Sequence, residues 1–89
     1  MITAIVLLNV ARTQVNAVAE TLAEMAGISE VYSVTGEFDL VAIVRVATNE
    51  DLAALVTERL VAVPGIEKTT TMLAFKAYSR HDLESMFSL

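Results

Sequence analysis

The residues of this chain best suited to hold a small ligand are the run Thr35-Gly36-Glu37-Phe38-Asp39. Gly36 lets backbone N–H groups come close to a bound molecule, and two carboxylates and an aromatic ring flank it. That mixture suits an amino acid, which needs an anionic acceptor for its ammonium group and backbone or hydroxyl donors for its carboxylate. The same five residues also read as a hairpin turn with solvated acids, because short glycine motifs carry little specificity. Thr69-Thr70-Thr71 adds hydroxyls, with Thr69 and Thr71 on one face of a strand, although threonine is also simply a good strand residue.

Catalytic chemistry finds less support. His81 is the only histidine, beside Arg80 and Asp82, and the chain has no cysteine and no tryptophan. A single histidine cannot build a metal cluster, thiolate nucleophiles are excluded, and no serine has a recognisable base partner. Glu37 and Asp39 could in principle form a carboxylate pair, but nothing around them suggests the raised pKa that general acid or base work needs. Arg45, inside an otherwise apolar strand, either finds a partner for a buried guanidinium or reaches water at the strand's end. No cofactor and no metal site is expected.

The elements that must position these residues follow from hydrophobic periodicity. Residues 2–10 read as a strand, and 12–26 switch to a helical period with Val15, Val18, Ala19, Leu22, Met25 and Ala26 on one stripe. Thr13 is the expected N-cap of that helix, and Gly27 stands where a left-handed residue would end it. Residues 28–35 and 38–47 read as two strands joined at Gly36-Glu37. Thr48-Asn49-Glu50-Asp51 starts a second helix carrying Leu52, Leu55, Val56 and Leu60, and Pro64-Gly65 stops it. Residues 66–78 form a last strand. Residues 1–79 are thus expected to be one domain, and 80–89 a tail with a short helix through Leu83, Met86 and Phe87.

The order βαββαβ is reinforced by an internal repeat of 38 residues. Ala4-Ile5-Val6 falls on Ala42-Ile43-Val44, and Gly27-Ile28 falls on Gly65-Ile66. Two strand, helix, strand units with right-handed crossovers interleave into an α+β, ferredoxin-like fold, a four-stranded antiparallel sheet with both helices on one face. The first and third strands, central in that sheet, are apolar at both parities. A bare sheet face in water should instead alternate apolar with polar. A second copy of the sheet is the simplest cover, since a two-fold axis lets one patch satisfy itself.

Composition agrees with a buried partner contact. Apolar residues make up 55% of the 89 positions and charged residues only 19%, and mean hydropathy is +0.60, high for a small domain that must present a polar exterior. A net charge of −5 gives direct nucleic-acid binding the wrong sign. No apolar run approaches the ~18 residues of a membrane span, and the N-terminus lacks the basic region of a signal peptide, so a cytoplasmic location is expected.

With the element order, the Thr35-Gly36-Glu37-Phe38-Asp39 turn and the Pro64-Gly65-Ile66 entry to a threonine-bearing strand in place, residues 1–79 resemble the C-terminal effector (RAM) domain of the Lrp/AsnC family. That resemblance implies dimeric α/β-barrel-type pairing through the sheets and assembly of dimers into tetramers or octamers, with amino acids bound between them. It implies a pocket in which Gly36 and nearby backbone receive the ligand carboxylate, Asp39 accepts from the ammonium group, Thr69 and Thr71 line the wall, and Glu37 and Phe38 sit at the rim. Family members usually begin with a helix-turn-helix domain, and this chain starts at its first strand. It therefore resembles the stand-alone members, which sense amino acids alone or co-assemble with full-length relatives to regulate transcription of amino-acid metabolism. The competing expectation is a small enzyme of the dimeric α/β-barrel type, a monooxygenase or isomerase, for which Tyr32, Tyr78 and His81 offer little.

Overall fold

The computed structural model describes residues 1–78 and Arg80. Six principal elements follow in chain order: β1 Ile2–Val10, α1 Val15–Ala23, β2 Ile28–Ser33, β3 Leu40–Val46, α2 Asn49–Ala54 and β4 Ile66–Leu73. A 3₁₀ turn at Arg12–Gln14 leads into α1. A π turn at Leu55–Arg59 and a 3₁₀ turn at Leu60–Ala62 prolong α2. The sheet order is β2-β3-β1-β4, antiparallel throughout. The expected ferredoxin-like α+β arrangement is therefore the one found.

The central pair β1 and β3 meets about an internal symmetry point. Ala4 pairs with Val44, Ile5 with Ile43, and Val6 with Ala42, so the two repeated triplets face each other in reverse register. The repeated glycines behave alike. Gly27 and Gly65 precede the edge strands β2 and β4 with φ of +94° and +98°. The Gly27 carbonyl accepts from Arg45 N near the end of β3, and the Gly65 carbonyl accepts from Ala11 N just after β1, both at 2.8 Å. These positive φ values end each helical segment as a left-handed residue should.

The helices cover one side of the sheet. Ala4, Val6, Leu8 and Val10 of β1 and Leu40, Ala42, Val44 and Val46 of β3 are buried there against Val18 and Leu22 of α1, with Leu55 and Leu60 beyond α2. Each of the five buried leucines contributes roughly 1.5–3 kcal/mol by leaving water. No polar side chain is buried among the described residues, so this core holds the site in place without supplying its chemistry.

Several boundaries differ from expectation. Thr13 does not cap a helix; it lies within the 3₁₀ turn, and neither that turn nor α1 has a side-chain cap. Thr48 does cap α2, its Oγ1 accepting from Asp51 N at 3.1 Å. β3 begins at Leu40 because Phe38 and Asp39 are spent on the turn. β4 ends at Leu73 because β1, its only neighbour, runs out: Ala74 N still donates to Thr3 O at 2.9 Å, and residues 74–78 continue without a partner strand. The expected tail helix lies outside the described residues.

Candidate functional site

The turn that carries the candidate site is closed on itself and fastened to the end of β1. Val34 N donates to Asp39 O at 3.1 Å, closing the turn, and Asp39 N donates to Leu8 O at 2.9 Å. Asn9 Nδ2 donates to Glu37 O at 2.7 Å, and Val10 N donates to the Asp39 carboxylate at 2.8 Å. Leu8 O and, two residues on, Val10 N point toward β3, whose last paired residue is Leu40, so beyond that pair the Val10 amide finds the Asp39 side chain. Asp39 thus has a role in the fold that its sequence neighbours do not advertise, and Asn9 is a turn-holding residue that sequence reasoning missed. The signal was a polar side chain closing an otherwise apolar strand.

The site residues expected from the sequence fall into two groups. Gly36 and Glu37 are exposed at the tip, Gly36 with φ of +105° and open space where a side chain would stand. Phe38 and Asp39 are half-buried at the turn's return. Thr69 and Thr71 lie opposite Leu8 and Val6, hence on the helix-covered side of β4. Thr69 lines a cavity of about 190 Å³ with Leu60, Val61, Ile66, Glu67 and Lys68, none of which belongs to the turn. One strand, β1, separates the groups, a distance of about 10 Å at ordinary strand spacing.

The other side of the sheet has an apolar centre and polar ends. Ile5 faces Ile43 and Leu7 faces Val41 across the central ladder, with Met72 and Thr70 beyond on β4 and Glu30 and Tyr32 beyond on β2. Thr3 and Arg45 close one end, and Asn9 and Lys68 the other. Ile5, Leu7, Val41 and Ile43 remain half-buried, and Met72 and Tyr32 are 45% and 50% exposed. No described element lies over them. Apolar centre and polar rim together form the anatomy of a contact surface.

Arg45 does not need burial to be satisfied. It is half-exposed, with Nη1 3.0 Å from Ser29 Oγ and 3.8 Å from the Glu30 carboxylate. Glu30 also accepts from the Tyr32 hydroxyl. That hydrogen bond and the Glu30 charge hold the Tyr32 phenol protonated above its ordinary range, and Arg45 opposes them weakly. Sequence inspection singled out Arg45 alone. The register that brings Glu30 beside it, with its break between Ile28 and Glu30, came only with the fold.

Among the described residues no group of three His, Cys, Asp or Glu side chains could hold a metal ion, and no helix is long and apolar enough to cross a membrane. His81 lies outside the described residues.

Comparison with known proteins places this architecture. The Lrp/AsnC ligand binding domain matches residues 3–83. The crystal structure of TTHA0845 from Thermus thermophilus superposes with a TM-score of 0.84 at 48% identity, covering 90% of this chain and all of that one. The HTH-type transcriptional regulator FL11 of Pyrococcus horikoshii is 33% identical over 75 residues, 84% of this chain and 49% of its own length. The chain spans between 39% and 49% of the length of such curated relatives. At the level of fold alone, the Neisseria meningitidis regulator NMB0573, solved as an L-Met complex, aligns with a TM-score of 0.79 at 14% identity over 89% of this chain and 53% of that one. By sequence and by fold, this chain belongs to the Lrp/AsnC ligand binding domain family.

Proposed function

We propose that the chain is an amino-acid-responsive assembly module of transcription regulation, acting in the cytoplasm as a homodimer or a larger ring, and that it binds rather than transforms its ligand. The observation that carries this reading is the sheet whose second side is apolar at Ile5, Leu7, Val41 and Ile43 and bare of any described element. A stable two-fold contact needs about 800 Å² per protomer, and a four-stranded face with a polar rim is the right kind of surface to supply it. Self-association would carry the Gly36 to Asp39 turn and the Thr69 wall to the edge of a neighbouring copy, where a pocket can be completed.

Within that pocket Gly36 and its backbone neighbours receive the ligand carboxylate. Asp39 accepts from the ammonium group, because one bond to Val10 leaves its carboxylate with spare acceptor capacity. Thr69 and Thr71 line the wall, with Glu37 and Phe38 at the rim. The L-Met complex of NMB0573 supports an amino acid as the ligand class. The HTH-type relatives support a regulatory partner, whose assembly would be biased by any difference in affinity between liganded and empty forms.

A thermal-shift screen with the common amino acids, run beside light scattering, tests the reading. A ligand at 100 times its Kd adds about 2.7 kcal/mol of stability. A particle at twice the 9.6 kDa of one chain or more is expected, falling to a monomer in Ile43→Asp. A monomeric wild type, or silence across the amino-acid set, would overturn the corresponding half of the proposal.

A further inference from the structure

At the end of the sheet away from the Gly36 turn, a cavity of about 270 Å³ opens between the end of the α1 segment and the start of α2. Ala26, Gly27, Arg45, Val46, Ala47, Asp51 and Arg59 line it. Arg45 lies six residues along β3 from Asp39, so the two places are separated by roughly 20 Å. The volume falls just under the ~300 Å³ lower end of ordinary ligand pockets, which limits an occupant to a small molecule.

The charges in this cavity are arranged in an uncommon way. Arg45 is already engaged by Ser29 and Glu30. Arg59 is half-buried, and its Nη1 donates to the Ala26 carbonyl at 3.0 Å, which fixes the guanidinium against one wall with further N–H groups to offer. Asp51 stands in the first turn of α2, where its backbone amide, not its carboxylate, is used by the Thr48 cap. Among the described residues the one ion pair within 4.0 Å is Arg45 with Glu30, so Arg59 and Asp51 share a cavity without closing on each other. Arg59 ends a π turn, Leu55–Arg59, and such turns are frequent at functional sites.

We infer that this cavity is a second small-ligand site, taking a compact dipolar molecule whose carboxylate docks on Arg59 and whose amine docks on Asp51. A simple anion would meet the Asp51 charge, and a simple cation would meet the Arg59 guanidinium. A molecule carrying both charges satisfies each wall with a charge-assisted hydrogen bond. The apolar floor of Val46 and the alanines suits a short aliphatic body. The site does not depend on the turn at the other end of the sheet or on a second copy of the chain.

The test is an amide NMR titration of the full chain with L-alanine, and separately with acetate and with methylammonium. L-Alanine should shift the amides of Gly27, Ala47 and Arg59, and each half-molecule should bind about tenfold more weakly or worse. Asp51→Asn is the deciding variant, because it spares the Arg59 bond to Ala26 and the Thr48 cap. It should weaken L-alanine about tenfold, and Arg59→Gln should do the same. Shifts confined to residues 35–39 would overturn this site while leaving the turn pocket standing. Absence of shifts at about 100 mM probe, a hundred times a millimolar Kd, would also overturn it. Equal affinity of wild type and Asp51→Asn would do so too.

Discussion

The carboxylate of Asp39 accepts the Val10 amide at 2.8 Å, across 29 residues of sequence, at the point where β1 loses register with β4. A strand end that would otherwise leave an N–H without a partner is closed by the same side chain that is proposed to receive a ligand's ammonium group. Two demands on one residue can be separated by choice of replacement. Asp39→Ala removes the acceptor for a part-buried amide and should cost about 1–3 kcal/mol in urea unfolding. Asp39→Asn keeps an oxygen for Val10, so most of that stability should return. It also turns an anionic acceptor into a neutral amide, so any amino-acid response at the turn should be lost in both variants. Recovery of ligand response in Asp39→Asn would argue against ammonium capture by this residue.

Glycines 36 and 65 have similar positive φ values and different surroundings. A Cβ on Gly65 would stand 2.8 Å from Gln14 Cβ and 3.2 Å from Val18 Cγ2, whereas one on Gly36 would meet nothing within 4 Å. Gly36→Ala should therefore cost only the left-handed backbone penalty, about 1–2 kcal/mol. Gly65→Ala adds a collision with the start of α1 and should cost about 3 kcal/mol or more. Chemical denaturation of the pair checks the ordering, and equal costs would refute the contact argument.

Two threonines that look alike in the sequence separate what local pattern can and cannot reveal. Thr48 precedes two early acids and caps α2 as expected, so Thr48→Ala should cost about 1 kcal/mol. Thr13 sits before an equally good helical stripe but is exposed within a 3₁₀ turn and makes no cap, so Thr13→Ala should change stability by less than about 0.5 kcal/mol. The span of β1, the positive φ of Gly27 and the central pairing of β1 with β3 were legible because each rests on neighbours in sequence or on strict periodicity. Asp39 on Val10, Glu30 beside Arg45 and the early end of β4 were not. Each depends on register between distant strands, and a register break is invisible in a single strand's pattern.

Tyr32 offers a titration readout of the β2 edge. Its hydroxyl donates to Glu30, and that bond and charge raise its pKa above the ordinary tyrosine value near 10. A raised value in the folded chain means that this interaction stabilises fully below the unfolded pKa and is lost as pH climbs through the folded one. In a Tyr78→Phe background, which leaves Tyr32 as the one tyrosine, ultraviolet titration should place tyrosinate formation above about 10. Adding Glu30→Gln should move it down toward the ordinary range. An unchanged midpoint would show that Glu30 is not the cause.

Phe75 separates the stability of one chain from that of an assembly. It is 99% exposed on the stretch that follows β4, with Tyr78 at 77% and Leu73 at 50% nearby. A side chain with almost no contact in its own protomer can change that protomer's stability by only about 0.5 kcal/mol. If the extended stretch lies on a second copy, Phe75→Ser removes apolar area from the contact instead, and its effect must depend on protein concentration. Thermal unfolding at two concentrations about a hundredfold apart should therefore show a smaller spread in Tm for Phe75→Ser than for wild type. Sedimentation should show a weaker self-association constant in step with it. Identical spreads for the two proteins would place Phe75 outside the interface and confine the contact to the Ile5, Leu7, Val41 and Ile43 face.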